Sequence, residues 1–140
     1  MAAAFLSFIS TASASAQVVA LGASNTLGWG VSDGQSYPAQ LQAMLQAKVS
    51  SLRVRNEGVP GHTTGEMLSR LASAVPEGTR IAILQFGTNG ARMGVPAATR
   101  QANIAAILEE LRKRGIKSIQ VDEMMDAALE DGLGQPDGIL

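Results

Sequence analysis

The sequence contains no cysteine and only one histidine, His62, among its 140 residues. The absence of cysteine excludes disulfide frameworks, thiolate nucleophiles and cysteine-ligated zinc or iron–sulfur sites. A single histidine also leaves few ways to build a metal site or a general acid–base pair. The chemistry of this chain must therefore rest mainly on hydroxyl, amide, carboxylate and basic side chains.

The sequence also lacks an excess of charge of one sign, since 11 basic and 12 acidic residues give a formal net charge of −1. Such a chain has no strong field to attract a phosphate backbone or an anionic lipid surface, so we expect no nucleic acid partner. No apolar run approaches the roughly 20 residues that a membrane-spanning helix needs, and we expect no membrane span. The hydrophobic content of 46% suffices for one globular core.

The first 16 residues differ in composition from the rest of the chain. An apolar run at 2–9 is followed by small and hydroxyl residues that end in Ala14-Ser15-Ala16. This order is typical of a signal peptide, although no Lys or Arg precedes the run. We expect residues 1–16 to be a signal peptide and the protein to be periplasmic or secreted. The alternative is an N-terminal extension of the domain at 17–140.

Short apolar runs alternate with segments of helical periodicity after residue 17. The runs at 18–22, 52–55, 81–86 and 116–121 predict strands. Their near-continuous apolar character favours parallel strands that are covered on both faces. Strands that alternate with helices predict an open parallel sheet between helical layers, a three-layer α/β/α fold. In such a fold, ligands bind at the carboxyl ends of the strands.

Three helices can be predicted from local signals. Thr63 and Glu66 have the spacing of a capping box, which predicts a helix that begins at Thr63. Another helix is predicted at 97–114, with Gly115 as its stop. The apolar face of the helix near residue 40 would consist of Tyr37, Leu41, Met44 and Leu45. That of the helix at 97–114 would consist of Ile104, Ile107, Leu108 and Leu111.

Three polar loops follow predicted strands and are expected at one edge of the sheet. The loop at 22–30 contains Ser24, the loop at 56–64 contains Gly61, and the loop at 87–90 contains Asn89. Each of these residues, taken alone, is more typical of a turn or a helix cap than of a catalytic site. The glycines fit neither a dinucleotide-binding fingerprint nor a phosphate-binding loop, and Thr26 stands where a G-x-S-x-G elbow needs glycine.

Taken together, the three loops resemble the SGNH, or GDSL-type, hydrolases, most closely their short thioesterase- and arylesterase-like members. The segment at 19–26 is similar to the G-D-S-L-like block, the segment at 56–64 to the second block, and the segment at 84–89 to the G-x-N-D block. The segment at 135–139 is similar to the start of the terminal D-G-x-H block. The resemblance extends from residue 18 to the C-terminus and implies a flavodoxin-like fold.

The resemblance also implies a role for individual residues. Ser24 would attack the carbonyl of a small acyl ester or thioester and form an acyl-enzyme, which water then hydrolyses. The backbone amides of Ser24 and Gly61 and the side chain of Asn89 would bind the oxyanion. Asp137 would orient the catalytic base. The resemblance implies no metal or organic cofactor.

The sequence departs from the family pattern at four positions. Ala23 and Gly90 replace acidic residues, and His62 stands where family members often have an acidic one. Leu140 occupies the position of the catalytic histidine. The resemblance thus implies a C-terminally incomplete hydrolase without its usual base and closing helix. The alternative is a catalytically inactive or truncated binding module. His62 could in principle replace the base, but it is more typical of a partly exposed loop residue.

Overall fold

The structure, a computed structural model, describes residues 17–121. The predicted signal peptide at 1–16 and Asp137, with the rest of the C-terminal motif, lie outside the described residues. Within the described part, the chain forms four strands and six helices. The strands are β1 (Val18–Gly22), β2 (Val54–Gly58), β3 (Ile81–Leu84) and β4 (Lys117–Gln120). The helices are α1 (Ser24–Leu27), α2 (Tyr37–Gln46), α3 (Thr64–Ser69), α4 (Leu71–Ala74), α5 (Asn89–Arg92) and α6 (Ala97–Lys113).

The four strands form one parallel sheet in the order β2-β1-β3-β4. The chain moves from β1 to β2 in one direction and from β2 through β3 to β4 in the other. Because such crossovers are right-handed, α2 lies on one face of the sheet, and α3, α4 and α6 lie on the opposite face. The predicted parallel α/β sheet between helical layers is confirmed.

The main core lies between the sheet and the layer of α3, α4 and α6. Side chains that alternate along β1 and β3 point into it, because successive residues of a strand face opposite sides. The strands contribute Val19, Leu21, Ala82 and Leu84, and the helices contribute Met67, Leu71, Ile107 and Leu111, all buried. Ile104 and Leu108 pack against the same cluster. The apolar face predicted for α6 is therefore confirmed.

Local signals predicted the helix termini well. The hydroxyl of Thr63 accepts a hydrogen bond from the backbone N–H of Glu66, and the carboxylate of Glu66 accepts one from the N–H of Thr63. The helix α6 ends at Lys113, and Gly115 follows with a φ of +69°, a left-handed conformation that stops a helix. No helix within residues 17–121 is long and apolar enough to cross a membrane.

The bounds of three strands and the inner face of α2 differ from the prediction. The strand predicted at 52–55 begins at Val54 and continues to Gly58, because its course is set by pairing with β1 up to Gly22. The apolar run at 52–55 therefore does not set the bounds of β2. The predicted ends of β3 and β4 are shortened to Leu84 and Gln120. Met44 is 68% exposed and does not share the inner face of α2.

Candidate active site

Ser24 lies at the carboxyl end of the central strand β1. It is the first residue of α1, and its side chain is partly exposed. Gly28 and Trp29 donate their backbone N–H groups to the carbonyl of Ser24 at 3.0 and 2.9 Å, which closes the turn tightly. Among the described residues, no acceptor is recorded for the backbone N–H or the hydroxyl of Ser24. The predicted loop at 22–30 thus starts as a short helix that presents Ser24.

Close backbone approach at two glycines holds α1 against the sheet. A Cβ atom on Gly22 would lie 2.0 Å from the hydroxyl oxygen of Thr26, and one on Gly58 would lie 2.1 Å from the backbone nitrogen of Leu27. Thr26 is fully buried and donates a 2.7 Å hydrogen bond to Oε1 of Gln85, in the loop after β3. The first and third loops are therefore connected directly beneath Ser24.

Asn89 lies at the carboxyl end of β3. It is the first residue of α5, so part of the loop predicted at 87–90 is helical. Its Nδ2 donates a 3.0 Å hydrogen bond to the carbonyl of His62 in the second loop. An amide group carries two N–H donors. The second N–H of Asn89 therefore remains available for an oxyanion.

Gly61 lies in a tight turn that follows β2. The backbone N–H of His62 donates to the carbonyl of Val59 at 3.2 Å, and Gly61 adopts a φ of +79°. This left-handed conformation favours glycine. Among the described residues, no acceptor is recorded for the N–H of Gly61. The turn is fixed to the first loop, since Val59 donates its N–H to the carbonyl of Gly22 at 3.1 Å.

Ser24 and Asn89 line one pocket at this edge of the sheet. The pocket has a volume of about 120 Å³. Its lining consists of Ala23, Ser24, Asn25, Gln85, Gly87, Thr88, Asn89 and Arg92. Gly61 lies outside this lining, but it precedes His62, whose carbonyl contacts Asn89. The structure thus brings the three predicted site residues that it describes to one end of the sheet.

Arg70 connects the second loop to the central strand β1. Its Nη2 donates to the carbonyls of Gly22 at 3.1 Å and Glu57 at 2.8 Å, and its Nε donates to Nδ1 of His62 at 3.1 Å. Its Nη1 lies 3.3 Å from a carboxylate oxygen of Glu57. Burial lowers the pKa of the guanidinium, and the nearby carboxylate of Glu57 opposes this shift. The group remains a cation.

The imidazole of His62 is engaged by Arg70. Its Nδ1 accepts the hydrogen bond from Nε of Arg70, and among the described residues no hydrogen bond joins the imidazole to Ser24. In this structure the imidazole therefore supports the second loop through Arg70.

Four residues of this region were not identified from the sequence. Arg70 and Gln85 act through contacts with residues that are distant in the chain, and no local pattern indicates such contacts. The buried hydroxyl of Thr26 was noted only as a departure from the G-x-S-x-G motif. Arg92 shares a helix face with Asn89 at the spacing i, i+3. A prediction of the short helix α5 from the sequence would have been enough to place Arg92 beside Asn89 at the pocket.

The chain matches known proteins over most of its length. A family model described as GDSL-like Lipase/Acylhydrolase matches residues 20–137. No curated protein matches the sequence.

Several solved structures are similar to the chain. AlinE4, an SGNH-hydrolase family esterase, is 34% identical with a TM-score of 0.65, and the match covers 74% of this chain and 56% of AlinE4. TesA is 26% identical with a TM-score of 0.68, covering 74% and 58%. A lipolytic protein of the G-D-S-L family from Desulfitobacterium hafniense DCB-2 is 26% identical with a TM-score of 0.64, covering 82% and 73%. The chain thus spans less than two thirds of AlinE4 and of TesA.

Proposed function

The chain belongs to the GDSL-like lipase/acylhydrolase family, and from this premise we propose that it is a serine hydrolase of small acyl esters or thioesters. The proposed reaction proceeds through an acyl-enzyme on Ser24. The similarity to an SGNH-hydrolase family esterase supports an esterase-type reaction.

The chemistry follows from the positions of the three loops. The hydroxyl oxygen of Ser24 attacks the carbonyl carbon, and the negative charge moves to the carbonyl oxygen. The backbone N–H groups of Ser24 and Gly61 and the side-chain amide of Asn89 donate to this oxygen. Collapse of the tetrahedral intermediate breaks the bond to the leaving group, which departs as the alcohol or thiol with the proton that the Ser24 hydroxyl gave up, and leaves the acyl group on Ser24. Water then releases the acid.

One observation carries the proposal, namely the shared pocket of Ser24 and Asn89. Asn89 is held by the carbonyl of His62, so its amide is oriented before any substrate binds. Preorganised donors of this kind stabilise developing charge without reorganisation during the reaction.

The size of the pocket favours short acyl groups. The described residues enclose about 120 Å³, whereas sites for drug-sized ligands enclose roughly 300–1,000 Å³. We therefore propose acetyl to butyryl esters as substrates, with the corresponding thioesters as the second group.

Hydrolysis of p-nitrophenyl acetate and of a short acyl thioester tests the proposal. Turnover should be lost in Ser24→Ala and retained in Ser51→Ala, which removes an exposed serine before β2, at the other end of the sheet. Equal activity of wild type and Ser24→Ala would contradict a nucleophilic role for Ser24.

A catalytically inactive binding module is the second candidate, and two observations favour it. Leu140 stands in the place of the family's catalytic histidine, and Arg70 occupies Nδ1 of His62. General base catalysis typically contributes about 10²–10⁴ in rate. If the module lacks only its base, Leu140→His should raise the rate of ester hydrolysis, with Asp137 as the proposed partner that orients the new imidazole. An unchanged rate would favour the inactive module.

Export is also proposed, on the basis of the apolar run and the Ala14-Ser15-Ala16 sequence that precedes Gln17. Expression of the whole chain in a bacterium should then yield periplasmic protein whose first residue is Gln17. An unprocessed protein confined to the cytoplasm would contradict export.

A further inference from the structure

Within residues 17–121, Arg92 is the one charged residue among the side chains that line the pocket of Ser24. The remaining lining residues are neutral, and the polar ones among them, Asn25 and Thr88 included, can all donate hydrogen bonds. The described residues thus give the pocket a positive charge with no carboxylate in its wall to balance it.

The side chain of Arg92 is exposed and has no recorded partner among the described residues. Three other arginines among the described residues, Arg55, Arg70 and Arg112, form ion pairs with carboxylates. Arg70 lies 3.3 Å from Glu57, and Arg112 lies 2.8 Å from Glu109. The guanidinium of Arg92 is therefore free to bind a ligand without first breaking an internal ion pair.

The helix α5 sets the distance between this charge and the proposed reacting centre. Arg92 follows Asn89 by three residues, and side chains at this spacing lie on the same helix face, with Cβ atoms about 5–6 Å apart. A carbonyl oxygen bound by Asn89 would place Arg92 within reach of a group a few bonds further along the substrate.

From these observations we propose that Arg92 determines specificity and selects esters that carry a carboxylate a few bonds from the scissile carbonyl. The planar fork of a guanidinium matches the two oxygens of a carboxylate. A single arginine supplies one such fork, which suits one carboxylate. This inference rests on the proposed function, because it takes Asn89 as the binding site of the carbonyl oxygen.

The test compares two boronic acids, which form tetrahedral adducts with a nucleophilic serine. Propylboronic acid reports on the Ser24 site alone. The analogue 3-carboxypropylboronic acid has the same carbon chain and adds a terminal carboxylate. Isothermal titration calorimetry gives the dissociation constant of each compound. The advantage of the carboxylate is the dissociation constant of propylboronic acid divided by that of 3-carboxypropylboronic acid.

We expect the carboxylate to improve binding to the wild type about threefold to fivefold, as an exposed ion pair does, and Arg92→Gln to abolish most of this advantage. The matched control is Arg80→Gln, since Arg80 is an exposed arginine before β3, at the opposite end of the sheet. The advantage should persist in Arg80→Gln and shrink in 0.5 M salt, which screens exposed charges.

The inference is overturned if both compounds bind the wild type equally, or if the advantage survives Arg92→Gln. Failure of the proposed function has a different signature. In that case propylboronic acid would bind the wild type and Ser24→Ala with the same affinity. The advantage of the carboxylate would still be present in the wild type and lost in Arg92→Gln. Absence of binding by either compound would overturn both proposals.

Discussion

The two ends of the sheet both carry a cavity, but they use their polar side chains in opposite ways. The cavity at the amino end is the larger, about 270 Å³ against about 120 Å³ at the carboxyl end. Around it, Thr79 donates its hydroxyl to the carbonyl of Pro76, and Arg114 donates to the carbonyl of Val75. These two donors satisfy the chain's own backbone, and the other polar side chain in the lining, that of Glu77, is an acceptor.

At the carboxyl end, the side chains of Ser24 and Arg92 have no recorded partner among the described residues, and Asn89 retains a free N–H. Donors that a fold leaves unused beside a pocket are available to a ligand. We therefore infer that unused hydrogen-bond donors in the cavity wall, rather than cavity volume, distinguish the end of the sheet that is suited to bind a ligand. Substitutions of the unused polar side chains at the carboxyl end should mainly affect chemistry, and substitutions of the engaged polar side chains at the amino end should mainly affect stability.

The largest effect is expected for Asn89→Ala. Loss of one oxyanion donor typically lowers the rate by about 10²–10³, or roughly 3–4 kcal/mol. The lost bond to the carbonyl of His62 should reduce the free energy of unfolding by only about 1 kcal/mol. Ester hydrolysis and urea unfolding measure the two effects. The control is Asn103→Ala, which removes the hydrogen bond from Asn103 on α6 to Thr64 on α3. A similar loss of rate in both variants would contradict the oxyanion role.

Gly58→Ala should have the largest effect on stability at the carboxyl end. The new Cβ atom would lie 2.1 Å from the backbone of Leu27, and a backbone atom cannot move aside as a flexible side chain can. We expect the free energy of unfolding to fall by about 3 kcal/mol.

Gly61→Ala is the matched control for this substitution. A Cβ atom on Gly61 meets nothing within 4 Å, so only its φ of +79° opposes the change, at roughly 1–2 kcal/mol. Urea unfolding of both variants measures the difference. If Gly61→Ala proved the more destabilising, the close contact between α1 and β2 would not be the main constraint.

At the amino end, Arg114→Met should reduce stability and leave the chemistry intact. The substitution removes the hydrogen bond from the guanidinium to the carbonyl of Val75 and retains much of the apolar stem. Hydrogen bonds that involve a charged group contribute about 1.5–3 kcal/mol, and we expect the lower value at this partly exposed site. Thermal unfolding and ester hydrolysis should be measured together. A tenfold loss of rate with unchanged stability would contradict the division between the two ends.

The smallest effect concerns the capping box of α3, which lies beside the second loop. Hydrogen bonds from the backbone and the hydroxyl of Thr63 lower the pKa of Glu66. A lowered pKa in the folded state means that the carboxylate stabilises the fold above its ordinary pKa of 4.5. This stabilisation is lost as the pH falls through the lower, folded-state pKa.

The difference in unfolding midpoint between wild type and Glu66→Gln should therefore be present at pH 7 and shrink below pH 4.5. In a Thr63→Ala background, which removes the hydroxyl donor, the same difference should be smaller at pH 7. A difference that is constant from pH 7 to pH 3 would contradict the assignment.

Several features were predictable from sequence because they depend on neighbouring residues. The strands β1 and β3 appear as apolar runs, since both lie in the middle of the sheet and are covered on both faces. The helical spacing of apolar residues predicts α6, and the spacing of Thr63 and Glu66 predicts the capping box of α3. The resemblance to a hydrolase family also follows from short blocks of at most nine consecutive residues, and each block within 17–121 covers the end of a strand and the segment after it.

Other features were decided only by the tertiary structure. The bounds of β2 follow from its pairing with β1, and Met44 is exposed because of how α2 sits on the sheet. The imidazole of His62 is engaged by Arg70, and the hydroxyl of Thr26 by Gln85, 59 residues further along the chain. The physical reason is common to all of these. Local sequence sets backbone preferences within a few residues, whereas the partner of a polar side chain depends on which distant segments the packed sheet brings within about 3 Å of it.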